Sequence, residues 1–273
     1  MHSKIFQIGP LEIHAYGLML ALSFLLGIYL AMFRAKKLGI DPNKIVDLSV
    51  IIVISAILGS RFLYVIFHLD EFEGRWLDTI NPFQSSGQIG IAGLTMLGGF
   101  VAAVVFSILY MKIKKLPLLQ IADIMIPSVG MGEFITRIGC FLNGCCHGLP
   151  TRVAWGMVFP AESPAGYCYP GQPIHPAQLY SSFYGLIIFV SLLLLERYKK
   201  FDGFLLYCFF ILYGVSRFIV DFFRYYENSM VIGGLSISVN QGISLLMIIF
   251  GIILVIMSLA NLKKAKNSAA ISE

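Results

Sequence analysis

The chain has 273 residues, 58% of them hydrophobic and only 13% charged. Soluble domains carry about 45–50% apolar and about 25% charged residues, so a water-soluble fold is excluded and the natural solvent of this sequence is lipid. The formal net charge of +5 reports membrane topology rather than a nucleic-acid partner. No Pro/Ser-rich linker or charge block divides the chain, which reads as one polytopic domain over residues 1–273. Met1 to Gly9 lacks a basic stretch leading into a short apolar core, so no cleaved signal peptide is expected.

A spanning helix needs roughly 20 mostly apolar residues. Taken in chain order, such segments fall at about 15–35, 46–68, 89–111, 118–142, 177–196, 203–223 and 235–260. The expected fold is therefore an all-α membrane protein of about seven transmembrane helices. Arg34, Lys36, Lys37 and Lys44 follow the first span, and Lys112, Lys114 and Lys115 the third. Arg197, Lys199 and Lys200 follow the fifth, and Lys263, Lys264 and Lys266 the seventh. The positive-inside rule makes these ends cytoplasmic. Asp70, Glu71, Glu73, Asp78 and Glu162 lie in the opposite loops. The N-terminus is thus expected outside, with a cytoplasmic C-terminal tail over 261–273. The longest connection, about 144–176 between the fourth and fifth spans, holds six prolines, Trp155 and two tyrosines. That composition predicts a packed, irregular outer loop, and long loops in compact proteins are often functional.

The informative residues are those that are expensive in lipid. Arg61 lies in span two, Asp123, Glu133 and Arg137 in span four, and Arg217, Asp221 and Arg224 in span six. Charged groups at membrane depth cost a few kcal/mol or more and face a polar interior. Together they predict one polar cavity opening outward. Guanidinium stays charged and its planar fork suits phosphate or carboxylate. Glu133 and Arg137, like Arg217 and Asp221, are four residues apart and share a helix face. Either pair alone reads equally well as a helix-internal salt bridge. Two pairs plus Arg61 and Arg224 point to an anion site.

Span four runs into Arg137-Ile138-Gly139-Cys140-Phe141-Leu142-Asn143-Gly144-Cys145-Cys146-His147-Gly148. Glycines and Asn143 there predict a broken helix whose backbone N–H groups can meet a ligand. A second run, Gly90-Ile91-Ala92-Gly93-Leu94-Thr95-Met96-Leu97-Gly98-Gly99, taken alone reads as close helix packing through small residues. Five cysteines, three of them clustered, do not make a disulfide framework. Zinc sites usually show two separated ligand pairs, so no metal is expected at Cys145-Cys146-His147, and no cofactor elsewhere. His147 and His175 read as loop histidines able to move protons near neutral pH.

These residues resemble the prolipoprotein diacylglyceryl transferases of the bacterial inner membrane over almost the whole chain. The resemblance rests on Gly9-Pro10 with Tyr16-Gly17, and on Gly59-Ser60-Arg61 with Tyr64. It continues through Arg137-Ile138-Gly139 with Phe141, Asn143 and Gly148, then Trp155-Gly156 with Phe159-Pro160. His175-Pro176 with Gln178-Leu179-Tyr180, Tyr213-Gly214 with Arg217, Phe222-Phe223 and Arg224, and finally Gln241 and Ser244 complete it. Each element is weak alone, and their order makes the match specific. The resemblance implies transfer of the diacylglyceryl group of phosphatidylglycerol to the lipobox cysteine of a preprolipoprotein, by a monomer embedded in the membrane. It assigns Arg137 to the phospholipid and makes Arg217 necessary for activity. Tyr16, Asn143 and Gly148 match important positions.

Four departures stand out. Thr136 replaces a usual glycine before Arg137. Cys140 and Cys145 replace a usual Asn and Glu, as in some members. Asp221 stands where glutamate is common, and Leu97 where many members carry a histidine. The expected catalytic groups are Arg217, Asp221, Tyr16 and His175, with Asp221 orienting Arg217. Arg137, Asn143, Gly148, Arg61, Arg224, Gly98 and Gly99 are expected to bind substrate. His147 and Glu133 are further candidate bases. Two other readings stay open: a non-catalytic phospholipid-binding paralogue, favoured by Leu97, and a thiol-redox or metal-handling membrane protein built on the cysteines.

Overall fold

The computed structural model describes residues 4–8, 11–74, 76–79, 93–225, 231–232, 235–236 and 238–271. A short hairpin, β1 (Lys4–Ile8) and β2 (Leu11–His14), precedes α1 (Ala15–Lys37). Next come α2 (Pro42–Phe67), two 3₁₀ turns (Leu69–Phe72 and Trp76–Thr79), α3 (Met96–Ile113) and α4 (Leu118–Asn143). The loop after α4 holds the short helix α5 (Pro164–Cys168). Beyond it lie α6 (Ala177–Leu195), a 3₁₀ turn (Glu196–Tyr198) and α7 (Phe204–Asp221). A two-residue pairing of β3 (Val231–Ile232) with β4 (Leu235–Ser236) leads to α8 (Val239–Ile271). Seven of these helices are long and apolar enough to cross a membrane, so the chain is an all-α membrane protein, its strands confined to brief hairpins between helices.

Two expected boundaries move. Span three was placed from residue 89, yet α3 begins at Met96, behind Thr95 in extended conformation and Gly93 at φ +78°. Gly90-Ile91-Ala92, like Gly9-Pro10, lies outside the described residues. The last helix runs well past the expected 260, because its basic tail is rich in alanine and lysine, which are strong helix formers.

The chain forms two compact units, residues 32–121 and residues 1–31 with 122–273. In the smaller unit, Asp41 accepts from the Asn43 N–H at 2.9 Å ahead of Pro42, which opens α2 at a position where its missing N–H is harmless. α2 and α3 cross where small residues meet: Gly59 lies against Gly98 and Ala102, and Gly99 against Ser60 and Ala56. A Cβ at Gly98 or Gly99 would collide with α2. In lipid, where apolar contact with tails competes with apolar contact between helices, such close approach supplies packing.

The larger unit uses the same device. Gly130 meets the backbone of Phe189, and Gly185 that of Phe134, where α4 and α6 cross. Gly214 and Gly251 do the same between α7 and α8. Ser182 Oγ donates to the Phe134 carbonyl at 2.8 Å, and Ser128 Oγ to that of Gly27 at 2.9 Å. Ile188, Leu192 and Leu205 are fully buried among Tyr184, Phe209 and Val220. This core fixes α4, α6 and α7, the helices that carry most of the buried charge.

Candidate active site

Arg137 lies six residues before the end of α4. Its Nε donates to Glu133 Oε1 at 2.8 Å, one helical turn back. The Tyr184 hydroxyl, from α6, donates to the same carboxylate oxygen at 2.8 Å. Glu133 is thereby held as an anchor for the guanidinium. Among the described residues no other acceptor engages Arg137, so its terminal Nη fork is left for an anion. The pair is largely buried: the Arg137 side chain is 17% exposed and that of Glu133 19%.

The second arginine is held by a different chain of contacts. Arg217 Nη2 lies 3.2 Å from Asp221 Oδ1, whose side chain is fully buried. Asp221 also accepts from the Ser238 hydroxyl. Ser238 in turn caps α8: its Oγ accepts from the Gln241 N–H at 3.0 Å, and Gln241 Oε1 accepts from the Ser238 N–H at 2.9 Å. This is a capping box, two helix-end donors satisfied reciprocally. The start of α8 thus holds Asp221, and Asp221 holds Arg217.

Tyr184 and Tyr213 join the two ion pairs. Their rings meet edge to face, with centroids 6.1 Å apart. Tyr184 holds Glu133, while Tyr213, one turn before Arg217 on α7, lies within electrostatic reach of Glu133, Arg217 and Arg137 alike. Tyr184 was not singled out from the sequence, because an aromatic in an apolar span carries no signal of its partners; Tyr213 entered only as part of the family resemblance, without a role.

The loop after α4 forms the rim. Gly144 adopts φ +72°, its N–H bonds the Phe141 carbonyl at 3.1 Å, and the Cys145 N–H bonds that of Cys140 at 3.2 Å. These are the two bonds of a Schellman cap, which terminates the helix at Asn143. Residues 147–149 then lie between two other strands of chain. Gly148 N–H bonds the His175 carbonyl at 3.1 Å, His175 N–H bonds that of Leu149 at 2.9 Å, and Leu149 N–H bonds that of Phe223 at 2.9 Å. A Cβ on Gly148 would stand 2.6 Å from the Phe223 oxygen. Glycine is required there so that three segments can meet. Arg224 follows Phe223 and pairs with Gly148 across this junction.

The histidines divide by their partners. His147 is buried, stacked on Tyr225 with centroids 5.2 Å apart, and bonds the Gly148 carbonyl through Nδ1 at 3.2 Å. That is a packed loop histidine. His175 Nδ1 lies 3.0 Å from the Tyr180 hydroxyl, which receives the Trp155 indole N–H at 2.7 Å. An indole N–H only donates, so Trp155 and His175 converge on the one Tyr180 hydroxyl. Burial holds the His175 pKa below its ordinary value, so the ring is neutral near pH 7.

Tyr16 opens α1 where Gly139 admits it: a Cβ at Gly139 would lie 3.2 Å from the Tyr16 Cα. Its hydroxyl is within electrostatic reach of Cys140, Cys145, Cys146 and Arg137. Gln178, almost fully buried, donates from Nε2 to the Cys145 carbonyl at 2.8 Å, and its Oε1 has no partner among the described residues.

Two expectations change. Asp123 was grouped with the arginines, but it sits at the other end of α4, about 21 Å along the helix axis. It accepts from the Gly203 and Leu206 N–H groups at 2.8 and 3.0 Å and pairs with Lys199 at 3.0 Å. It is the anionic cap of α7, where exposed N–H groups and the helix dipole favour negative charge. Arg61 belongs to the smaller unit. Its Nε donates to the Thr79 carbonyl at 2.9 Å and its Nη1 to that of Gly93 at 3.3 Å, with the Phe72 and Tyr64 rings beside it. These contacts bring the Thr79 and Gly93 carbonyls, both between α2 and α3, to one side chain of α2. Gly98 and Gly99 lie at the α2–α3 crossing described above, and Leu97 beside them is exposed.

Two guanidinium groups anchored by carboxylates on apolar, membrane-length helices, beside a glycine-pinned loop, mark a polytopic membrane protein with charge buried among its helices. A family model for prolipoprotein diacylglyceryl transferase matches residues 3–257, and the chain belongs to that family. It is 32% identical to the phosphatidylglycerol–prolipoprotein diacylglyceryl transferase of Clostridium tetani over 252 residues, 92% of this chain and 96% of that one. It is 35% identical to the enzyme of that name from Idiomarina loihiensis over 254 residues, 91% and 89% of the two chains. For Oceanobacillus iheyensis the figures are 34% over 255 residues, 92% and 85%.

Proposed function

We propose that this protein is a phosphatidylglycerol–prolipoprotein diacylglyceryl transferase of the bacterial inner membrane. It moves the diacylglyceryl group of phosphatidylglycerol to the lipobox cysteine of a preprolipoprotein, with glycerol phosphate leaving. The observation that carries the site assignment is the Nη fork of Arg137, which is unengaged among the described residues while Glu133 and Tyr184 fix its Nε side. An arginine set in this way meets a phosphate with two parallel hydrogen bonds.

Arg137 binds the phosphate in the ground state. Arg217, held by Asp221, stabilises the charge that grows on the leaving oxygen, an effect worth about 3–4 kcal/mol per preorganised donor. Arg224 adds positive charge at the rim, and Gln178 Oε1 is an acceptor for a headgroup hydroxyl. Tyr16 borders the reacting sulfur. His175, anchored through Nδ1 to the Tyr180 hydroxyl, keeps Nε2 for the substrate. Asn143 and Gly148 shape the loop that holds these groups. The protein acts as a monomer and as one polytopic domain over 1–273, with the N-terminus outside.

The test is transfer of label from radiolabelled phosphatidylglycerol to a lipobox peptide by purified protein. Transfer that depends on both Arg137 and the peptide thiol supports the reading. Lipid binding without turnover of wild-type protein overturns it in favour of a lipid-binding paralogue.

A further inference from the structure

The transferase reading leaves the most unusual side-chain cluster of the molecule without a task. Cys140, Cys145 and Cys146 place all three sulfur atoms within 4.8 Å of one another. No disulfide joins them; all three are free thiols.

The backbone explains how residues so close in sequence converge. In a Schellman cap the side chains at the third-last helical position and two past the cap come into contact, normally as an apolar pair. Here those positions are Cys140 and Cys145, and the two backbone bonds of the cap are both present. Adjacent residues in extended chain point to opposite sides, which would send Cys146 away. Instead Cys146 takes φ +57°, in the left-handed region, uncommon for a residue with a Cβ. That turn returns the third sulfur to the other two. The Gln178 amide braces the same segment by donating to the Cys145 carbonyl.

We infer that Cys140, Cys145 and Cys146 form a three-thiolate site for a zinc-class divalent ion, with the fourth coordination position open. A tetrahedral zinc with bonds of about 2.3 Å needs its sulfur atoms about 3.8 Å apart, so separations of up to 4.8 Å need to close by at most about 1 Å. Three thiolates and a divalent ion leave one net negative charge, and Arg224 and Arg137 both act electrostatically on Cys146. The surroundings therefore suit the loaded site. Three protein ligands and one open place are the pattern of a catalytic zinc, whereas a structural zinc is closed by four.

Resting on the transferase reading, the open place takes the acceptor cysteine. A thiol that coordinates such an ion gives up its proton, here to solvent. The bound sulfur then forms its bond to the glyceryl carbon as the bond from that carbon to the phosphate oxygen breaks, and the oxygen leaves with the electron pair on glycerol phosphate. The ion would supply the thiolate without a general base.

The experiment uses full-length protein in detergent, reduced and stripped of metal, titrated with Co²⁺ in place of zinc. One equivalent per chain should produce an intense thiolate-to-cobalt charge-transfer band, abolished by Zn²⁺. Zinc should also protect Cys140, Cys145 and Cys146, but not Cys168, from alkylation in the wild-type chain, a readout that needs no variant to fold. Cys146→Ser should lose the band and Cys208→Ser keep it. A lipobox peptide should shift the visible cobalt bands, while its serine analogue should not. No band, or no protection by zinc, overturns the site. A band that ignores the cysteine peptide overturns the open position. Label transfer by metal-free wild type without any band would sink the ion and leave the transferase standing. A band without transfer under any metal condition would do the reverse.

Discussion

The two ends of α4 carry buried charge for opposite reasons. At one end Asp123 accepts two backbone N–H bonds from the start of α7 and pairs with Lys199. At the other, Arg137 is gripped on one edge by Glu133 and offers the rest of its guanidinium outward. The lesson is that burial of charge in a membrane protein does not by itself mark a site. What separates structure from function is whether the protein satisfies the group completely.

The largest expected effect falls at the unsatisfied end. Arg137→Ala should lower label transfer by about a hundredfold to a thousandfold, the rate equivalent of about 3–4 kcal/mol for one lost donor, with thermal unfolding close to wild type. Arg137→Lys should recover only part of this, because an ammonium lacks the planar fork. Full activity in Arg137→Ala would erase the contrast between the ends. Asp123→Ala should do the opposite. Losing a cap costs about 1–2 kcal/mol, seen as a lower unfolding temperature, while transfer per folded molecule stays near wild type.

A subtler change sharpens the same point. Ser238→Ala removes the α8 cap and the hydroxyl that holds Asp221, so it should cost about 1 kcal/mol of stability and also slow turnover with little change in lipid affinity. A stability loss with unchanged turnover would mean that Asp221 positions Arg217 unaided. The smallest effect is one of pH. Because burial holds the His175 pKa below its ordinary value, the unfolded chain takes up this proton more readily than the folded one. Stability from this residue is therefore full above the unfolded histidine value of about 6.5 and declines as pH falls below it. His175→Gln should flatten that decline in unfolding temperatures measured across acidic pH.

The cysteine loop shows what residue types leave illegible. On spacing alone Cys145-Cys146-His147 lacks the two separated ligand pairs usual for zinc. The Schellman cap and the left-handed turn at Cys146 reverse that geometry, and neither can be read from residue types. The rim histidines behaved likewise: His147 and His175 look equivalent in the sequence, yet one is stacked on Tyr225 and the other is bonded to Tyr180.

From sequence alone came the seven spans, the outer loop and the pairs Glu133–Arg137 and Arg217–Asp221. Lipid demands long apolar runs, and a helix places residues four apart on one face, so these features are local. Tertiary structure alone decided that Tyr184 and Tyr213 join the two pairs, that Asp123 caps α7 and that Ser238 steadies Asp221. Those partners are separated by up to 83 positions in the chain, and the contacts between them exist only once the helices have packed.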